Sequence, residues 1–277
     1  MKHTARTLLA LLAAAATAMP LRAQCDDINV TTHPGEVARY HAYYNWHFIW
    51  MNAGEVTFAN RAATYRGRPA YRLSAIGSTY KSYDFFYRVR DTFEVVVDTL
   101  TLQPYHFSQR NYESDRVTLN DYRFDYDART LSGFTQSEEQ PEGRHFSMEL
   151  PQCSFDVLTM VYKARNIDFA QCAVGDKIPI RMIINAQSYD LYIRYLGRET
   201  IKTRTGRRFD CLKFSPLLVD GTLFKGGEDM TVWVTNDRNR VPILVEAKVL
   251  IGSVKAMFVD AMGLKYPMTA EIVKPKK

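Results

Sequence analysis

Along "ARYHAYYNW", Ala38, Tyr40, Ala42, Tyr44 and Trp46 fall on one side and Arg39, His41, Tyr43 and Asn45 on the other. That two-residue period is the signature of a strand with one wetter face. It returns in "EVTFAN", "AYRLSAIGS", "TFEVVVD", "PYHFSQR", "VTLNDYRFDYD", "KIPIRMII", "SYDLYIRYL", "RRFDCLKFS", "MTVWVTND" and "PILVEAKVLI". The pattern predicts about a dozen strands joined by short turns at Gly67, Gly206, Gly221 and the Gly226-Gly227 pair. Strands joined so closely pair antiparallel, because a parallel crossover needs roughly a dozen intervening residues. The expected fold class is therefore mostly β: a large curved antiparallel sheet, a meander that is barrel-like or two-layered, with one covering α-helix.

The helix is expected over residues 154–166, "SFDVLTMVYKARN". Ser154 would cap it, Asp156 would sit near its positive end, and Phe155, Leu158, Val161 and Tyr162 would share one face. It divides a single β-rich domain, residues 24–277, into sub-halves of about 35–150 and 170–277, with no Pro- or Ser-rich linker between them. The halves echo each other faintly. "EVVVDTLTLQPYHFSQ" and "TVWVTNDRNRVPILVEA" both run strand, Asp (Asp98, Asp237), turn, Pro (Pro104, Pro242), strand, which ordinary hairpin chemistry also explains.

Ahead of this pattern stand Lys2 and Arg6, the apolar block "LLALLAAAATA" and then "MPLRAQCDD", the layout of a secretory signal peptide over residues 1–23. Leu21 and Ala23 suit a cut that leaves Gln24 leading the mature chain, and Gln24 is a poor fit to a lipoprotein cut before Cys25. No later apolar run is long enough to span a bilayer as a helix. Export removes three basic residues, so the formal charge falls from +6 to +3 (33 basic against 30 acidic), with acids and bases interleaved. Nucleic-acid binding is not expected from such a surface. Cys25, Cys153, Cys172 and Cys211 all lie beyond the cut and would meet an oxidising compartment, with up to two disulfides. Three pairings are open. Cys153 and Cys172 bracket the helix and could meet beside its ends, while Cys211 also reads as a small buried hydrophobe.

Ser78 and Lys81 in "GSTYKSYDFFYRVRD" match the Ser-x-x-Lys spacing of serine penicillin-recognising enzymes. Such enzymes set the serine on a long buried helix and add an Asn and a Lys-Thr-Gly strand. Here about two helical turns fit before a strand begins, and "SDR" at Ser114 and "KTR" at Lys202 lack the Asn and the Gly. The stretch is expected instead to be a solvated turn with Tyr83, Phe85 and Phe86 packed inward. Esterase elbows, His-Glu-x-x-His and glycine-rich phosphate loops are absent. His41 and His47 would share a strand face roughly 20 Å apart, too far for one metal ion. Glu138-Glu139 sits in a polar loop, and nothing in the sequence selects Asp91, Glu94 or Asp98 over other acids as a carboxylate pair. The aromatic excess on the strands fits either a filled core or a pocket wall for something apolar.

The C-terminal blocks "RRFDCLKFSPLL" and "MTVWVTNDRNRVPILVEAKVLIGSVKAMF", with "FDVLTMVYKAR" upstream, resemble the bacterial domain of unknown function 3108 family. The matching points are Trp233, the Asp237 turn, Pro242, the Gly252-Ser253 break and the Asp156–Arg165 helix, and the layout fits from about Gly35 onward. The resemblance implies a β-rich exported protein of the Gram-negative envelope, in the periplasm or outer envelope, and implies no activity. A curved sheet under a helix also looks like the periplasmic lipoprotein carriers, an analogy of fold alone. The expectation is thus a non-catalytic binding or carrier domain, without cofactor or metal, for a lipid or other apolar ligand held between the aromatic sheet and the helix. The alternatives are a structural or assembly factor for an envelope protein and, more remotely, a hydrolase of envelope polymers. The sequence assigns neither ligand-binding residues nor oligomeric state.

Overall fold

The computed structural model describes residues 27–46, 49–219, 226–248 and 252–273, and the side chains of these except Trp46 and Ile49. The expected signal peptide, Cys25, His47 and Gly221 lie outside that set. Eight strands come first: β1 (Val37–Trp46), β2 (Ile49–Tyr65), β3 (Arg68–Thr79), β4 (Val89–Asp98), β5 (Pro104–Glu113), β6 (Arg116–Asp125), β7 (Thr130–Ser137) and β8 (Gln140–Glu149). Then come β9 (Ser154–Phe155), α1 (Val157–Ala164), β10 (Lys177–Ile184), β11 (Gln187–Lys202), β12 (Arg208–Pro216), β13 (Met230–Thr235), β14 (Pro242–Lys248) and β15 (Ser253–Met262).

All fifteen strands belong to one open sheet, ordered β8-β7-β6-β5-β4-β3-β2-β1-β15-β14-β13-β12-β11-β10-β9. Each half is a meander, as expected, and the first and last long strands meet in the middle, Val37 opposite Met262 and Asn45 opposite Ser253. Every pairing is antiparallel except β9 with β10. The free edge at β8 carries Pro141, Glu142, Arg144 and Glu149, which discourage addition of another strand.

The helix is shorter than the sequence suggests and starts later. Ser154 and Phe155 form β9 against Arg181 and Met182, so the N-cap falls on Asp156, whose carboxylate accepts from the Leu158 and Thr159 amides. Pairing with β10 outcompetes the capping that Ser154 would otherwise give. The helix is apolar nearly all round because it lies between the two halves. Leu158 and Tyr162 pack with Leu73, Val95, Val97, Phe107, Tyr122 and Leu131 of β3 to β7. Met160 and Ala164 pack with Ile178, Ile193, Leu212 and Phe214 of β10 to β12.

A third cluster, with Tyr40, Phe209, Trp233, Ile243 and Phe258, lies where the halves join. Its far side is closed by residues 263–273, whose Ala270 carbonyl accepts from the Asp210 amide and whose Glu271 pairs with Arg207 at 2.7 Å. In β1 a register shift between Ala42 and Tyr43 breaks the simple alternation, so Tyr43 is buried although the period of two puts it on the wetter side.

Candidate functional site

The space between helix and sheet, where an apolar ligand was expected, is occupied by side chains. A cavity of about 20 Å³ beside the helix is lined by Glu36, Tyr40, Phe58, Val161, Tyr162, Arg165 and Pro242. That is room for one water, not for an acyl chain. The Tyr162 hydroxyl is buried there without a hydrogen-bond partner. Charged groups surround it. Arg165 clamps Glu36 through two bonds of 2.5 and 3.1 Å and donates twice more to the Asn239 carbonyl, with both side chains at 4% exposure or less. Lys163 donates to the Asp27 and Thr101 carbonyls. Burial pushes the Asp156 carboxyl up to about 6 even though it accepts three hydrogen bonds. These groups fasten the plug to both halves.

The turn at Asp237 explains why the matching points of the sequence cluster there. Its Oδ1 accepts from the Thr235 hydroxyl and the Asn239 and Arg240 amides, and its Oδ2 from the Thr269 and Ala270 amides. Asp98 builds the corresponding turn in the first half by accepting from the Leu100 and Thr101 amides. Trp233 donates its indole N–H to Glu199 at 3.0 Å.

The other end of the first half has a different character. The strand face that carries Phe93, Val95 and Val97 inward near the helix carries Asp91 at the far end. Asn111 stands opposite Asp91, Gln109 opposite Asn120, and Asn120 opposite Thr135, giving a polar wall in register across β4 to β7. Asn120 donates to Gln109 at 2.9 Å and to Asn185 at 3.2 Å, where the β10–β11 turn docks on the wall. Beyond that turn, Oδ1 of Asp91 and Oδ1 of Asn111 are buried without a donor. Burial, reinforced by the neighbouring Glu113 charge and a carboxyl–carboxyl hydrogen bond, pushes Asp91 up to about 7. Tyr87 donates to Glu113 at 3.1 Å, and burial beside that carboxylate pushes its phenol up to about 12. Asp91 is thus the acid the structure singles out. Glu94 lies on the opposite strand face and Asp98 in its turn.

Tyr87 belongs to the stretch containing Ser78 and Lys81, which the structure separates: Ser78 ends in β3, and Lys81 opens a single 3-10 turn, Lys81–Tyr83. Phe85 and Phe86 are 88% and 49% exposed, not packed inward as expected. Among the described residues, no group of three His, Cys, Asp or Glu is placed to hold a metal, and no helix is long and apolar enough to cross a membrane. His41 approaches the Tyr43 hydroxyl at 3.5 Å. Glu138 pairs with Arg116 on the surface. Cys153 is disulfide-bonded, whereas Cys172 and Cys211 are free, so the suggested Cys153–Cys172 bridge does not form. Cys211 is fully buried, and burial pushes its thiol up to about 12.

A family model described as a protein of unknown function (DUF3108) matches residues 39–259, most of the chain and all of the sheet's long strands except the ends of β1 and β15. The chain belongs to the DUF3108 family. A solved structure, the beta-barrel-like protein of domain of unknown function DUF1849 from Brucella abortus, shares the fold of this DUF3108 protein. The TM-score is 0.54 at 8% identity, covering 84% of this chain and 98% of that one. No curated protein matches this chain in sequence.

Proposed function

We propose that this DUF3108 protein is an exported, non-catalytic binding scaffold of the bacterial envelope that works through the open end of its first half and not through an internal cavity. The observation that carries this reading is the packed interior: α1 is covered by core side chains of both halves, and the cavity beside it measures about 20 Å³. Export is supported by the signal-like layout of residues 1–23. The packing favours the structural or assembly role over the enclosed lipid carrier. The open end offers what the interior lacks, namely exposed apolar surface at Phe85 and Phe86. Hydrolysis of a glycosidic polymer finds no support in Asp91 and Glu113, which neighbour each other, whereas that chemistry needs two carboxyls apart across the scissile bond.

Native mass spectrometry of the mature protein purified from its own envelope should give the bare chain. A photo-crosslinking residue at position 85 should capture envelope material, and one at Asp127, in the turn at the opposite end of the first half, should not. A stoichiometric apolar adduct, or equal capture from both positions, would sink this reading.

A further inference from the structure

The turn between β3 and β4 is built rigidly. The Thr79 hydroxyl donates to Asp84 at 2.8 Å and accepts from the Val89 amide, and Arg90 donates to Asp84 at 2.6 Å. The Tyr83 and Phe86 amides close on the Tyr80 and Tyr83 carbonyls, and the Arg88 carbonyl accepts from Ser114. Its shape is therefore fixed by its own bonds, and that shape presents Phe85 and Phe86 to solvent. A turn with so many internal ties has no need of the outward Phe85 ring for its own stability.

The charges of this turn are sorted. Its acid, Asp84, is taken up by Arg90 and Thr79, leaving Lys81 and Arg88 as its exposed charges, both positive. Tyr44 of β1 touches Phe86 at 6.2 Å between ring centres. The turn thus exposes two phenyl rings and two cations and half-buries three tyrosines, Tyr80, Tyr83 and Tyr87. Aromatic belts and flanking Lys and Arg are what the interface of an anionic bilayer selects. A protein hot spot instead seats its aromatic anchors within a rim that shuts water out, and Phe85 is 88% exposed.

We infer that the Tyr80–Arg88 turn is a membrane-contact device, which inserts Phe85 and Phe86 into the interface of an anionic lipid surface while Lys81 and Arg88 engage the headgroups. This rests on the reading of the open end as the working end and names its partner.

The test is flotation of the mature chain with vesicles of phosphatidylethanolamine alone and of phosphatidylethanolamine with phosphatidylglycerol. The wild-type chain should float with the second. Phe85→Ser/Phe86→Ser should lower its partitioning by about tenfold per ring, and Lys81→Glu/Arg88→Glu should remove the preference for the anionic vesicles. Phe85→Trp should keep binding and shift its emission to the blue on vesicles. Unchanged urea midpoints certify that the serine and glutamate variants are folded.

Absence of flotation with either vesicle, or a serine variant that floats like the wild type, overturns the inference. If crosslinks from position 85 persist to a protein while vesicles are ignored, the inference falls and the reading of the open end stands. Loss of both removes the two together.

Discussion

Asp91 illustrates how one residue can oppose the fold that holds it. In the folded chain it keeps its proton to about pH 7, since burial comes first and the Glu113 charge second, while in the unfolded chain it releases it near an ordinary value of about 4. Between those limits the folded state binds the extra proton, so stability falls as pH rises. The loss is complete above about 7 and absent below about 4. Asp91→Asn should therefore be more stable than the wild type at pH 8, by on the order of 1 kcal/mol, and indistinguishable from it at pH 4. Asp156, held up to about 6 by burial, adds a slope of the same sign and should survive in the variant between about 4 and 6. Urea titrations at pH 4, 6 and 8 check this, and parallel curves for the two proteins would refute it. The alternation of "TFEVVVD" marked the strand, but nothing in it selected Asp91 over Glu94 or Asp98. What sequence could not supply was the register that places Asn111 opposite Asp91 and brings Glu113 within reach.

At the scale of elements, most strands were legible because they alternate polar and apolar residues, and the helix because its apolar positions crowd together. β7 and β8 were not legible, because "SGFTQSEEQPEG", which reads as a polar loop, forms most of their hairpin and β8 buries neither face. The ends of the helix were not, since a two-residue bridge to β10 decides where it starts. The outward Phe85 and Phe86 were missed for a related reason: apolar residues in a turn read as core until the packing around them is known. The helix's last turn also hid its main tie. Arg165 reaches Glu36 across 129 residues of chain and Asn239 across 74, contacts that no local pattern announces. Arg165→Met should strand a buried carboxylate and cost about 3–5 kcal/mol, whereas Glu36→Leu/Arg165→Met should recover most of that loss, because the pair repays its own desolvation poorly. Urea midpoints of both variants decide it, and a double variant as weak as the single would show that the pair itself is stabilising.

The sheet as a whole is open, and its two halves are joined by the strands nearest the chain ends. β1 and β15 pair at its centre, the plug binds both halves, and residues 263–273 are tied to the second half through Asp237, Asn239 and Arg207. Asn239 holds that tail by its side chain and Arg165 by its carbonyl, so the tail and the plug share one anchor. If that anchor makes the molecule one cooperative unit, ending the chain after Met262 should weaken every strand and not merely β12 to β14. The expected cost is about 2–4 kcal/mol for the lost hydrogen bonds and the Arg207–Glu271 pair. Hydrogen exchange should then accelerate to a similar degree in peptides from β3 to β6 and from β12 to β14, as global opening requires. Arg165→Met should also cost less in the shortened chain than in the full one, since the two changes act on the same anchor. Faster exchange confined to β12 to β14, with strictly additive energies, would mean that the halves open independently and that the plug fills the sheet without coupling it.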